Sequence, residues 1–583
     1  MTGVTRDSTT SLEFFGSSSA VSFMRQINSA IDARLERCQP SNPDPDKNCR
    51  QSGNANLVAS QQEDSIDPLT LTLPPRNFAD NLLQDYHDLV WVILPIHDWT
   101  VFQAAYNSIW LGSATHIPER PLYCMINMAF ALGSQFSHAV QPMHRKKMGQ
   151  TFWEKARTLF DPRLYEGASL EGVQCLLLMG LFLQSTCESH QCWMAVGAAV
   201  RMAQSLGLHL LSATGRQNEG VREVEISRRV WHGCVFMDRV LSITFGRPSM
   251  IADWLCDAVP LPLMIDDEYL DQDVEPAAIR PDGKTTAVAF FVKTLELYSI
   301  VNDSLRELYM RPADEACKDH QQLLSVLKLD NRLVQWAHSI PEQLCYISSK
   351  PQEDSAILRQ SIVLRARYLH ARTVILRPVL AEFCLQQTKP RAPHWHPPVE
   401  ESLSQNFVNQ CSKVCFKAAH ETINMIYAHL DLETVTGPVP AWWFAVLFVY
   451  TAAIVLLAER FRSNLNPSSE SEPWLANIAW DRAIQLLKAY SKVGESAERC
   501  VAALEILSTK IQGQSGSAQH GKDTAQSSSI DNILNPDSIT CQSDEGLLSG
   551  FDDLTASLNM EGMDFNIDDN LLWLNSSVAD IMF

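Results

Sequence analysis

The chain has 583 residues, of which 46% are hydrophobic, 8% aromatic and 20% charged, a balance that excludes collagen-like and fully disordered chains. Sixty-seven acidic against 47 basic side chains give a net charge of −20, and a field of that sign repels phosphate backbones and anionic lipid, so the chain alone is not expected to bind DNA. Fifteen cysteines with no Cys-x-x-Cys spacing read as reduced, intracellular usage, and the polar stretch Met1 to Ala20 lacks the apolar run of a secretory signal.

Met1 to Pro75 is rich in Ser, Thr, Asn, Gln and Pro, so residues 1–76 read as a mostly disordered arm that cannot offset its ordering entropy by burial. Inside it, Phe14 to Ile27 is apolar-periodic. Ser17 to Ser19 are placed there to cap a short helix that docks Val21, Phe23, Met24 and Ile27 on the core. From Asn77 to Ile511 apolar residues recur at three- and four-residue spacing without β-branched alternation, which predicts an all-α, multi-helix body over residues 77–511. Gln191 to Leu206 is one such helix, with Trp193, Val196, Val200 and Ala203 on one face and Gly207 as its stop. Another starts near Val224, carries Glu225 four residues before Arg229, and ends at Phe245 before Gly246, Arg247 and Pro248. The Pro-rich segments Thr388 to Val399 and Asn466 to Pro473 read as loops.

Ala441 to Ala458 is 18 consecutive uncharged residues, the lower edge of transmembrane length. It stands alone, contains Tyr450 and Thr451, and has helical soluble neighbours, so a central helix buried on all sides is expected and no membrane contact. Residues 512–583 hold twelve acidic side chains and one lysine, eleven of the 20 net negative charges. After a Ser/Gln/Gly-rich linker, the acids interleave with Phe551, Leu554, Phe565, Leu571, Leu572, Trp573 and Leu574, the pattern of a disordered acidic activation segment whose apolar side chains anchor coactivators.

No phosphate loop, dinucleotide fingerprint, nucleophile elbow or His-Glu-x-x-His occurs, so no catalytic residue is assigned and an enzyme is not expected. Asp266-Asp267-Glu268 superficially resembles a Mg²⁺-binding acidic cluster. Leu270 stands one turn on, however, and Asn302-Asp303 offers no second site, so a solvated, helix-capping acidic loop is expected. His394-Trp395-His396 lacks a third ligand and reads as a surface loop, leaving no metal site. Arg359, Arg365, Arg367, Arg372 and Arg377 form no single stripe at 100° per residue and are expected to pair with the protein's own acids.

The segments Asn81 to Trp110, Pro121 to Ser137, Phe152 to Leu183, Trp193 to His209, Tyr368 to Pro378 and Trp442 to Leu457, taken in order, resemble the fungal-specific transcription factor domain. This domain is the all-α middle region of fungal zinc-cluster transcription regulators. The most specific part is Glu225 to Pro248, where Arg228, Arg229, Trp231, Asp238, Arg239, Gly246, Arg247 and Pro248 match the signature and His232 stands where a second Trp is common. The resemblance implies that these eight residues hold the fold rather than a ligand.

One departure concerns the six-cysteine, two-zinc DNA-binding cluster that usually opens such proteins, since this chain has only Cys38 and Cys49 before Cys124. Zinc is therefore expected only if an N-terminal cluster is missing, and DNA contact only through such a module or a partner. The resemblance implies a nuclear activator of a metabolic or secondary-metabolite gene cluster, with coactivators on the acidic tail and homo- or heterodimerisation through the body. The alternative is a DNA-free co-regulator or scaffold acting through a partner transcription factor.

Overall fold

A computed structural model describes residues 17–35, 71–160, 168–210, 220–272, 275, 277, 279–310, 318–347, 355–387, 403–465 and 473–520. The described residues form sixteen α-helices and no strand beyond two isolated bridges. The first eight are α1 (Ala20–Leu35), α2 (Arg76–Tyr86), α3 (Trp99–Leu111), α4 (Glu119–Ser134), α5 (Pro142–Leu159), α6 (Leu170–Leu183), α7 (Ser189–Ser205) and α8 (Val221–Phe245). The remainder are α9 (Asp253–Asp257), α10 (Ala287–Ser304), α11 (Lys318–His338), α12 (Ser355–Gln387), α13 (Leu403–His429), α14 (Trp442–Leu465), α15 (Pro473–Tyr490) and α16 (Glu495–His520). The all-α reading of the body holds. Most of the arm, His394 to His396, and Phe551, Leu554, Phe565, Leu571, Leu572, Trp573 and Leu574 lie outside the described residues.

Local chemistry sets many of the boundaries. Asp98, Ser169 and Thr286 precede α3, α6 and α10, and each side-chain oxygen accepts a first-turn N–H, from Val101, Gly172 and Ala289, at 3.0 Å. The helix expected from Gln191 begins at Ser189, and the one expected from Val224 begins one turn earlier, at Val221. Gly246 ends α8 at φ 66°, left-handed backbone that a Cβ would strain.

Helix α12 runs through Pro378, which cannot donate to the carbonyl of Val374. Tyr309 fills the gap by donating its hydroxyl to that oxygen.

The docking helix exists and is longer than its sequence pattern suggested. Ser19 Oγ accepts from Ser22 N at 3.1 Å, and the helix continues past Ile27 to Leu35, burying Ala30 and Ile31 beside Phe23, Met24 and Ile27. It packs on α12, α14 and α16. Ser18 donates to the Ile243 carbonyl at 3.0 Å near the end of α8, and Arg377 of α12 donates back to Ser18 O.

Helix α14 is long and apolar enough to cross a bilayer, yet 94% of its most apolar window is buried inside the protein, against α12, α13, α15, α16 and α1. Trp443 is 1% exposed, and every residue from Ala441 to Ala458 is buried. This is the all-sided burial expected for Ala441 to Ala458.

Candidate functional site

Helix α8 carries Arg228, Arg229, Trp231, Asp238 and Arg239 of the signature, and Gly246, Arg247 and Pro248 follow at its exit. Glu225 and Arg229 lie one turn apart and are both buried. Glu225 Oε1 accepts from Arg229 Nε at 3.2 Å and from Leu263 N at 3.0 Å, while Oε2 accepts from Arg228 Nη1 at 2.8 Å. Arg229 also donates Nη1 to Asp267 at 2.5 Å and Nη2 to the Ile265 carbonyl at 2.7 Å. Burial pulls this guanidinium toward neutrality, but Asp267 and Glu225 outweigh it and hold its pKa above the ordinary value.

Two of the three acids depart from the solvated loop expected, while Glu268 is exposed as expected. Asp266 and Asp267 are buried, and desolvation raises both carboxyls above their usual range despite the arginines. The capping part of the expectation does hold for them. Asp267 accepts from Trp99 N at 2.7 Å at the start of α3, and Asp266 accepts from Ala287 N at 2.9 Å at the start of α10. Arg280 joins Asp266 at 3.2 Å and Glu268 at 2.8 Å. Arg222, not singled out in the sequence, donates to Asp98, to Asp271 at 2.6 Å and to the Asp267 carbonyl at 3.0 Å.

Farther along α8, Asp238 accepts from Met250 N at 2.9 Å and Ile251 N at 3.0 Å, and burial pushes its carboxyl up to about 6. Arg239 reaches Cys256 Sγ at 3.2 Å and Asp253 at 3.4 Å, and Asp253 also takes Asn302 Nδ2 at 3.0 Å. Asp303 then binds Arg306 at 2.5 Å and Arg332 at 2.6 Å, so α8, α9, α10 and α11 are joined by one chain of polar and charged contacts. Trp231 is fully buried, and His232 donates from Nε2 to the Pro260 carbonyl at 2.8 Å. Arg247 lies 5.1 Å from the Trp193 and Phe245 rings, while Pro248 is exposed.

A recess of about 340 Å³ opens beside Asp266, Asp267 and Trp99. Its buried carboxylates are committed to arginines and helix starts. Among the described residues no three His, Cys, Asp or Glu side chains are grouped to hold a metal ion. The contacts of this seam neutralise charges and satisfy helix ends, and they tie α8 to α3, α9, α10 and α11.

The basic stretch of α12 divides. Arg365 meets Glu421 at 2.6 Å and Arg372 meets Asp330 at 2.8 Å, as expected. Arg359, Arg367 and Arg377 correct that expectation, since all three are buried and none has a carboxylate in ion-pair contact among the described residues. Arg367 donates to Thr294 Oγ1 at 2.9 Å over the Phe236 and Phe290 rings, and Arg377 donates to Tyr309 Oη at 2.9 Å over Phe23. Rings and neutral oxygens take the place of acids there.

Residues 96–338, from just before the Asp98 cap to the last residue of α11, match the fungal specific transcription factor domain. The sorbicillinoid biosynthetic cluster transcription factor 2 of Penicillium rubens is 26% identical over 447 residues, spanning 76% of this chain and 62% of that protein. The sorbicillinoid biosynthetic cluster transcription factor sor3 of Hypocrea jecorina is 25% identical over 443 residues, 75% of this chain and 60% of its own. The transcription factor FBD3 of Fusarium pseudograminearum is 26% identical over 418 residues, 69% and 53% of the two chains. The chain thus spans between half and two thirds of the length of these curated relatives.

Proposed function

We propose that this chain, a fungal transcription factor relative that carries the fungal specific transcription factor domain at residues 96–338, is a nuclear regulator of a metabolic or secondary-metabolite gene cluster. The observation that carries the reading is the domain match itself, joined to relatives named as transcription factors, two of them for sorbicillinoid clusters. In this reading residues 77–511 form the regulatory body and residues 1–76 the arm that docks through α1. The acidic segment 512–583 recruits coactivators through Phe551, Leu554, Phe565, Leu571, Leu572, Trp573 and Leu574. The protein works without catalysis or a cofactor of its own, and the body serves as a dimerisation platform. The net charge of −20 favours reaching DNA through a basic module or a partner rather than through the helical body.

The test is to fuse the whole chain to an unrelated DNA-binding module upstream of a reporter and to follow a fluorescently tagged copy in fungal cells. Reporter induction with nuclear fluorescence is expected. A silent reporter from intact, well-expressed protein that stays out of the nucleus would overturn the reading.

A further inference from the structure

A second, larger cavity, of about 730 Å³, lies between the exit of α4, the start of α12, the loop joining α13 to α14, and the end of α15. That is the size of a small-molecule site. Arg359 lines it and is 3% exposed, and its Nη1 and Nη2 have no hydrogen-bond partner among the described residues. Its guanidinium lies 5.6 Å from the ring of Phe136, which also lines the cavity. Burial, with Arg367 two turns along α12, pulls the Arg359 guanidinium down to about 9, which still leaves it charged at neutral pH. A buried cation without an anion is costly, and such a charge is rarely kept without a partner.

The rest of the wall fits an anion with an apolar body. Tyr490, 1% exposed, presents a hydroxyl that likewise lacks a partner among the described residues, and Trp442 adds an indole face. Arg145 contributes a second buried guanidinium whose hydrogen bonds all go to neutral carbonyls: Ser137 at 3.1 Å, Val140 at 3.2 Å and Val435 at 3.2 Å. Two carboxylates line the cavity, Asp88 and Asp431, and both sit on its exposed side. Asp88 is held by His87 at 2.7 Å and Gln84 at 2.9 Å, and Asp431 by Thr434 at 2.7 Å, so neither serves Arg359.

The loop that closes the cavity is held in strained backbone. Val435 has φ 52°, unusual for a β-branched residue, and Gly437 has φ 151° where a Cβ would lie 2.2 Å from the His429 carbonyl. Arg145 donates to Val435 O in this loop, so a residue that lines the cavity also holds the loop beside it.

We propose that this cavity binds a small organic carboxylate with an aromatic or apolar body, its carboxylate paired with the Arg359 guanidinium and its body against Phe136 and Trp442. A planar carboxylate matches the guanidinium fork bidentately and supplies the missing counter-charge, while Tyr490 can bond a further oxygen of the ligand. The site is independent of whether the protein regulates transcription.

The whole chain and its Arg359→Met variant would be melted alone and with millimolar 2-naphthoate, 2-naphthamide or inorganic phosphate. Arg359→Met should raise the melting point of the ligand-free protein, because it replaces an unpaired buried charge with an apolar side chain of similar shape. 2-Naphthoate should raise the wild-type melting point by about 2 °C or more, the neutral amide should not, and the variant should lose the response. Phosphate should act weakly, since it fills none of the apolar volume. A ligand-free variant that melts lower or fails to fold would overturn the proposal by making Arg359 a structural residue. Equal shifts from 2-naphthoate and its amide, or from phosphate in both proteins, would overturn it as well.

Discussion

Replacing Asp267 by alanine tests the seam around α8 most directly. The substitution leaves Arg229, which is fully buried, with Glu225 at 3.2 Å as its remaining carboxylate and the Ile265 carbonyl at 2.7 Å. Removing one partner of a buried ion pair costs about 3–5 kcal/mol, and the surviving carboxylate places this case near about 3 kcal/mol. The Trp99 N–H at the start of α3 also loses its acceptor, which adds about 1 kcal/mol. A total near 4 kcal/mol is a large share of the stability of an ordinary domain. Urea unfolding followed by tryptophan fluorescence reads the change, and the double variant Asp267→Ala with Arg229→Met reads its cause. If the penalty is the stranded guanidinium, the double variant recovers at least half of the loss, because the residues are directly coupled. A single-variant cost under about 1 kcal/mol, or a double variant as unstable as the two singles summed, refutes the reasoning.

Acid should weaken the fold through buried histidines. Desolvation lowers His97 to about 3 and His232 to about 4, so the unfolded chain binds the extra protons. Stability from each is complete above about 6.5 and is lost as pH falls toward the folded value, about 2 kcal/mol per histidine between pH 7 and 5. Asp238, raised to about 6, works the other way, its contribution falling as pH rises from about 4 to 6. Melting points from pH 7 to 5 should therefore drop less in His97→Phe and more in Asp238→Asn, and parallel profiles for all three proteins would refute this. Trp443→Asp should abolish soluble, cooperatively folding protein, since it puts an unpaired carboxylate at a position 1% exposed, at a cost of several kcal/mol. Soluble variant with native circular dichroism would contradict the burial of α14. Asp544 to Phe583, fused to an unrelated DNA-binding module, should activate a reporter and lose that activity when Leu571, Leu572, Trp573 and Leu574 all become Ala. Ordering such a segment consumes about 2–5 kcal/mol of its contact energy, so coactivator affinity should be near micromolar, and activity that survives the four changes refutes the anchor mechanism.

What was legible in the sequence is what is encoded locally. Gly246-Arg247-Pro248 announces the end of α8 because a left-handed cap and a proline need no tertiary partner to stop a helix. Glu225 and Arg229 were readable as a pair because one turn separates them. Their third member was not. Asp267 reaches Arg229 from 38 residues away, so a spacing argument aimed at a metal site could not reveal that Asp266 and Asp267 are buried counter-ions. Arg222 escaped notice for the same reason, its partners lying 49 and 124 residues distant.

The arginines of α12 show where charge counting stops being informative. A sequence records that a guanidinium exists but not whether its neighbour will be an acid, a ring or a void, and acids were the natural expectation in a chain with 67 of them. Arg365 and Arg372 are half-buried at the edge of the helix, where Glu421 and Asp330 can reach them from solvent-accessible positions. Arg367 and Arg377 are buried, and aromatic faces with neutral oxygens meet them there at lower desolvation cost than a second buried ion would carry. Arg359 has the Phe136 ring but no acid or neutral oxygen on Nη1 or Nη2 among the described residues, so the arrangement that accommodates its two buried neighbours is only half built around it. A binding site is the arrangement in which such incompleteness is tolerated, because the missing half arrives with the ligand.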